Sequence, residues 1–186
     1  MDVTFTRIDD KRYGIAIARE HGPDIPLMQA PGYDEWMPHD LAHYVVEEHF
    51  AIQLGIFGQA AAGGGSFSPD PSERTGRSAR TAKRLDSVAH GDVGESEALV
   101  GICVAAWRRR ALGEQLPPWV SEADAGRDGV DGCVDRLDEI AHRWHALQPG
   151  RSLTLTWPRG LTVDPGRVRA GRRTQKSATQ RRGRGH

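Results

Sequence analysis

The feature that most constrains this chain is where its strand-like and helix-like patterns fall. Val3 to Ile8 alternates apolar and polar residues, the period of a half-buried strand, and Arg12 to Arg19 does so again with Tyr13, Ile15 and Ile17 on one face. Asp9-Asp10-Lys11 lies between them as a polar turn, so the N-terminus reads as a β-hairpin. Leu153 to Trp157 is the cleanest strand pattern, closed by Pro158. A strand needs neighbours for its backbone N–H and C=O groups. The last strand is therefore expected to join the hairpin in a three-stranded antiparallel sheet. Everything with strong helical period lies in between, and no internal repeat occurs. The fold class expected is α+β, a small antiparallel sheet packed against about four helices.

Pro38 suits a helix start, and Leu41, Ala42, Val45 and Val46 form an apolar stripe up to about Phe50. Ile52 to Ala62 reads as a short second helix stopped by Gly63-Gly64-Gly65. Ser96 is placed to cap a helix carrying Leu99, Val100, Cys103, Val104 and Trp107, with Arg108-Arg109-Arg110 in its last turns. Val134, Leu137, Ile140, Ala141, Trp144 and Leu147 mark the clearest amphipathic helix, ended by Pro149-Gly150. The stretch from His21 to Pro38 holds four prolines and two glycines and reads as a loop. Residues 123–132 are loop-like as well. Ser66 to Arg84 is rich in Ser, Arg and Pro, either a disordered loop or a poorly packed helix near Ser78–Leu85. The expected organisation is one domain over 1–160 with a flexible insertion at 64–92, then a disordered basic tail at 161–186.

Charge follows that division. The whole chain has 25 basic and 25 acidic side chains, a formal net charge of zero. Yet from Pro165 onward there are eight basic residues and no acid: Arg167, Arg169, Arg172, Arg173, Lys176, Arg181, Arg182 and Arg184. Taking those eight away leaves 17 basic against 25 acidic groups in residues 1–164, a net of −8. Clustered arginine can follow nucleic-acid phosphates, but the tail has no aromatic residue for base stacking, so any such binding is expected to be weak and non-specific. The plainer expectation is a solvated tail.

Several function classes drop out. The longest apolar run, Ala98 to Trp107, is about half the length a membrane span needs. The N-terminus lacks the basic and apolar regions of a secretory signal. Two cysteines without a CxxC exclude a disulfide framework and a zinc ribbon. Cys103 and Cys133 are expected as buried free thiols in a reducing cytoplasm. No GxSxG nucleophile setting is present, and the triple glycine follows a helix with no GK[ST] after it.

One constellation can carry chemistry. In Met37 to Glu47, His39 and His43 are four residues apart, which stacks them on one helix face about 6 Å apart along the axis, close enough to share a metal such as zinc or another divalent ion. Both fall at the margin of the apolar stripe, with Asp40 and Glu47 just beyond it as candidates to support the histidines rather than bind. Glu47 is about 12 Å along the axis from His39 and is placed instead to orient His43. HExxH metalloprotease chemistry is excluded, because Asp40 stands where that motif has glutamate. A closed site needs further ligands, and His21, His90, His142 and His145 are the candidates. The alternative is that both histidines simply hydrogen-bond a neighbouring loop or Glu47. His142 pairs with Asp138 at i,i+4 and reads as a solvated face.

PHDLAHYVVE (38–47), LGIFGQAAAGG (54–64) and SLTLTWP (152–158) resemble a group of uncharacterised proteins from high-GC bacteria, over roughly residues 1–60 and 95–158. That resemblance implies a compact domain and no particular activity. The HDxxH at 39–43 is also similar to the zinc motif of the ubiquinone-biosynthesis scaffold family. That family has a glutamate twelve residues after the second histidine, where this chain has Gly55, so the family's function does not carry over.

The leading expectation is a cytoplasmic interaction or regulatory domain, with room for a protein partner and no membrane. The alternatives are a metal-dependent, hydrolase-like enzyme built on His39 and His43, and a weak nucleic-acid binder acting through the tail arginines.

Overall fold

The two ends of the chain meet in one sheet. The computed structural model describes residues 1–65, 67 and 76–166. Strands β1 (Asp2–Arg7) and β2 (Tyr13–Ala18) form the expected hairpin, with Phe5 opposite Ile15 and Val3 opposite Ile17. Its turn is held by Asp9, which accepts from the Lys11 backbone N–H at 2.9 Å and from Arg12 Nε at 2.6 Å. The final strand, Ser152–Thr156, lies antiparallel on the other edge of β1, with Leu153 opposite Phe5 and Leu155 opposite Val3. Apolar residues of each strand share the inner face. On the outer face Thr4 pairs with Thr154 and Thr6 with Ser152 through their hydroxyls, at 2.9 and 2.8 Å. Alternation in the sequence becomes one buried and one wet face.

The sheet has four strands rather than three. β3 (Ile25–Ala30) pairs antiparallel with β2, giving the order β3-β2-β1-β4, so the last strand in sequence is β4. This strand was hidden in the proline-rich stretch for two reasons. It is an edge strand, where Pro26 costs no ladder bond that the sheet needs. Its middle four residues are exposed, including Leu27 and Met28, so it carries no period-two signal.

Five helices follow: α1 (His39–His49), α2 (Ile56–Ala61), α3 (Gly76–Leu112), α4 (Glu122–Ala125) and α5 (Val130–His145). The fold is α+β, as expected. α1 lies against the sheet, where Tyr44 meets Phe5 and Trp157 edge-on and Phe57 joins them from α2. The four-residue α4 is capped by Ser121, whose hydroxyl accepts from the Asp124 N–H, inside the stretch expected to be loop-like.

The larger departure concerns α3. It spans 37 residues, about 55 Å, and begins at Gly76 rather than at Ser96. Ser96 is not a cap at all: it is fully buried in the middle of the helix. Residues 76–92, expected within a flexible insertion, are its first four to five turns. They bury only small or isolated apolar side chains, Leu85 and Ala89, which is why no stripe was visible. α3 packs against both α1 and α5. Among the described residues no helix is long and apolar enough to cross a membrane. The tail arginines Arg167, Arg169, Arg172, Arg173, Arg181, Arg182 and Arg184 lie outside the described residues.

Candidate metal centre

The crossing of α1 and α3 brings polar residues into a place that would otherwise be core. His43 and Glu47 are both fully buried, although the helical period sets His43 at the margin of the apolar stripe and Glu47 just beyond it. That pattern reflects only what the sheet covers. α3 covers the second side of α1, and its small, buried Ser96 makes that approach possible.

Glu47 does two jobs. One carboxylate oxygen accepts the Ile56 N–H at 2.7 Å and the other accepts the Phe57 N–H at 2.9 Å, which caps α2 where its own N-cap residue, Gly55, has no side chain to offer. A side chain at Gly55 is excluded, because its Cβ would stand 2.3 Å from the Glu47 carboxyl carbon. The first of these oxygens also accepts the Ser96 hydroxyl at 2.8 Å.

That last bond decides the state of His43. The Ser96 hydroxyl has one hydrogen, and it goes to Glu47. Its oxygen therefore receives the proton on His43 Nδ1, 3.0 Å away. Nδ1 of His43 then carries a hydrogen, which leaves Nε2 as the ring atom turned toward the rest of the group. Nε2 is buried and has no hydrogen-bond partner. It faces the Glu97 carboxylate at 3.6 Å, beyond hydrogen-bonding distance. The His39 ring is next to it, centroids 4.6 Å apart and nearly perpendicular. His39, His43 and Glu97 each present a ligand atom within 4.8 Å of the other two, so the group can hold a metal ion.

His39 and Glu97 are exposed and line an open hollow, and His43 is buried beside them. That hollow has a volume of about 520 Å³. The α3 side of it follows helical spacing from Glu97 through Val100, Gly101, Val104 and Ala105 to Arg108. The β3–α1 loop is set against the entrance by Gly32, whose carbonyl accepts the His39 N–H at 3.1 Å. Gly32 has a φ of +73°, and a Cβ there would meet His39 Cβ at 2.9 Å, so this loop can reach the histidine only with glycine.

The remaining sequence candidates take other places. Asp40 turns away from His39: its Oδ2 accepts the Tyr13 hydroxyl at 2.5 Å, and the Pro31 carbonyl is 2.7 Å from the same hydroxyl. Burial, with Asp40 as acceptor, holds the Tyr13 phenol protonated far above its ordinary range. Glu47 reaches His43 through Ser96, with the direct approach to Nδ1 at 3.7 Å. His145 stacks flat on Trp36, centroids 3.8 Å apart, and His142 stands 3.7 Å from Asp138 on the surface. Among the described residues the side chain that comes within ligand distance of the histidine pair is Glu97, an acid rather than any of the four histidines considered. Its signal was faint: it precedes the Leu99-Val100 stripe on a segment read as the start of a helix rather than its middle.

Cys103 and Cys133 are both buried and free. The neighbouring Cys103 thiol on α3, together with burial, pushes the Cys133 thiol on α5 well above its ordinary range. Neither is placed as a nucleophile.

Fold and site together define an α+β protein with a His-His-Glu group able to hold a metal beside an open cavity. The chain matches no family model, no curated protein and no solved structure.

Proposed function

We propose that the protein binds a divalent metal ion, zinc or a similar ion, through His39, His43 and Glu97, and uses it on a small molecule held in the adjoining cavity in a hydrolase-like reaction. The observation that carries this reading is the buried Nε2 of His43, which makes no hydrogen bond and has a Glu97 carboxylate oxygen 3.6 Å away. A histidine kept only for packing would satisfy both ring nitrogens or expose one. Here Nδ1 is fixed by the Ser96–Glu47 chain, and the other nitrogen is turned toward a second histidine and a carboxylate. Histidine ligands in metal sites are oriented in this way by the partner of their other nitrogen.

Three protein ligands leave one position for water or substrate, the arrangement of a catalytic rather than a structural zinc site. Bound there, the ion would supply a water acidified to near neutral pH and a Lewis acid for a carbonyl or phosphoryl oxygen. The residues do the rest. Glu47 and Ser96 hold the His43 ring, Gly32 sets His39 at the entrance, and the α3 wall shapes the space for a substrate.

Metal content of the purified full chain, loaded with zinc and dialysed, tests the proposal. One equivalent is expected, falling to background in His39→Ala/His43→Ala and strongly reduced in Glu97→Gln. No bound metal in the parent chain, or a full equivalent in the double variant, would overturn it.

A further inference from the structure

The cavity narrows the class of molecule that the centre accepts. Its α3 wall is apolar or small along Val100, Gly101, Val104 and Ala105, and Met37 closes another side. At the rim stands Trp119, 67% exposed, the most exposed large apolar side chain of the described residues. Its ring lies over Gly101, where a Cβ would meet the indole at 2.9 Å. An indole left open beside a hollow of about 520 Å³ is a surface that an apolar ligand covers.

Charge sets the other end of the ligand. The cavity has one cation on its wall, Arg108, and both arms of its guanidinium are taken, one by Asp34 and one by Glu114 at 2.9 Å. A ligand anion gains little there. Asp34 and Glu114 line the cavity with Arg108 and leave that group at −1, so an anion is drawn by the ion alone: held by two imidazoles and the Glu97 carboxylate it would keep a local charge of +1 for one anionic oxygen donor.

We infer that the site binds a monoanion of the carboxylate or hydroxamate class with an apolar body, its oxygen on the metal and its body between Trp119 and the Val100–Val104 face. This rests on the metal reading above.

Cobalt(II) loaded into the full chain gives visible bands that report both metal binding and replacement of its water. Acetohydroxamate and benzohydroxamate share one head group and differ in body. Titrated against the cobalt protein, benzohydroxamate is expected to bind at least about tenfold more tightly, the order expected for covering a phenyl ring. In Trp119→Ala that preference should shrink to within about threefold, while the cobalt spectrum without hydroxamate stays as in the parent chain. Four outcomes are decisive. Absence of a cobalt spectrum overturns the metal reading and this inference together. A normal spectrum with equal affinity for the two hydroxamates overturns this inference alone. A preference that survives Trp119→Ala places the apolar body elsewhere and overturns it as well. A preference present in the parent chain and lost in the variant supports it.

Discussion

Replacing Ser96 with alanine removes one oxygen and separates two roles that the structure joins. The hydroxyl donates to Glu47 at 2.8 Å and receives His43 Nδ1 at 3.0 Å, at a position with no solvent access. Losing a hydrogen bond to a carboxylate costs about 1.5–3 kcal/mol, and leaving the Nδ1–H buried without an acceptor adds about 1 kcal/mol. Alanine's better helix propensity returns about 0.5 kcal/mol in the middle of α3. The expected net loss is about 2–3.5 kcal/mol. For a chain of this size that lowers Tm by roughly 4–14 °C. The functional effect is separate. With no acceptor at Nδ1, the ring is free to carry its proton on Nε2 instead, and metal affinity should fall about 10- to 100-fold, as for other residues that orient a ligand. Thermal unfolding followed by circular dichroism gives the first quantity. A zinc titration at 20 °C against a competing chelator, with the variant verified as folded, gives the second. Zinc affinity within twofold of the parent chain would refute the orienting role, even if the stability loss is as calculated. Unchanged stability would refute the hydrogen-bond chain itself.

Three further outcomes follow from the packing. Gly55→Ala drives a methyl group into the Glu47 carboxylate and should destabilise by about 2–4 kcal/mol in urea unfolding, whereas a loss under 1 kcal/mol would mean that Glu47 has another place to go. Gly91→Ala and Gly94→Ala meet nothing within 4 Å and should each stabilise α3 by about 0.5–1 kcal/mol; loss of stability in both would argue against a continuous helix there. The phenols of Tyr13 and Tyr44 both titrate well above the ordinary 10.0, chiefly through burial. The unfolded chain therefore releases these protons first. Their contribution to stability is complete below about pH 10 and is lost as pH rises beyond it, so the urea midpoint should drop between pH 9 and 11, and less steeply in the Tyr13→Phe/Tyr44→Phe chain. At pH 7 the two differ. Tyr13→Phe should cost about 1–3 kcal/mol, while Tyr44→Phe should be near neutral because its hydroxyl has no partner.

The parts of the fold that were legible in the sequence are those where one face is wet and the other dry. β1, β2, β4 and the Val134–Trp144 stripe of α5 all have that contrast and form as their period predicts; α1 also forms, but residues 41–47 are buried on every side. β3 has no dry face to advertise, and the first half of α3 buries little beyond Leu85 and Ala89. Of the site, the i,i+4 histidine pair was visible because both members sit on one helix. The third ligand and the serine that fixes His43 lie side by side on α3, more than fifty residues later. Only the crossing of two helices makes them neighbours, and a helix whose start was misplaced by twenty residues gave no reason to look there. Asp40 shows the opposite error. Adjacent to His39 in sequence, it turns to Tyr13 on the sheet instead.

Diffraction from crystals of the zinc-loaded chain at the zinc edge tests the central claim most directly. The account predicts one anomalous peak beside the cavity, about 2.0–2.2 Å from His43 Nε2, a His39 ring nitrogen and a Glu97 carboxylate oxygen, with His43 Nδ1 still on Ser96. A peak elsewhere, a peak on Nδ1, or no peak at saturating zinc would contradict it.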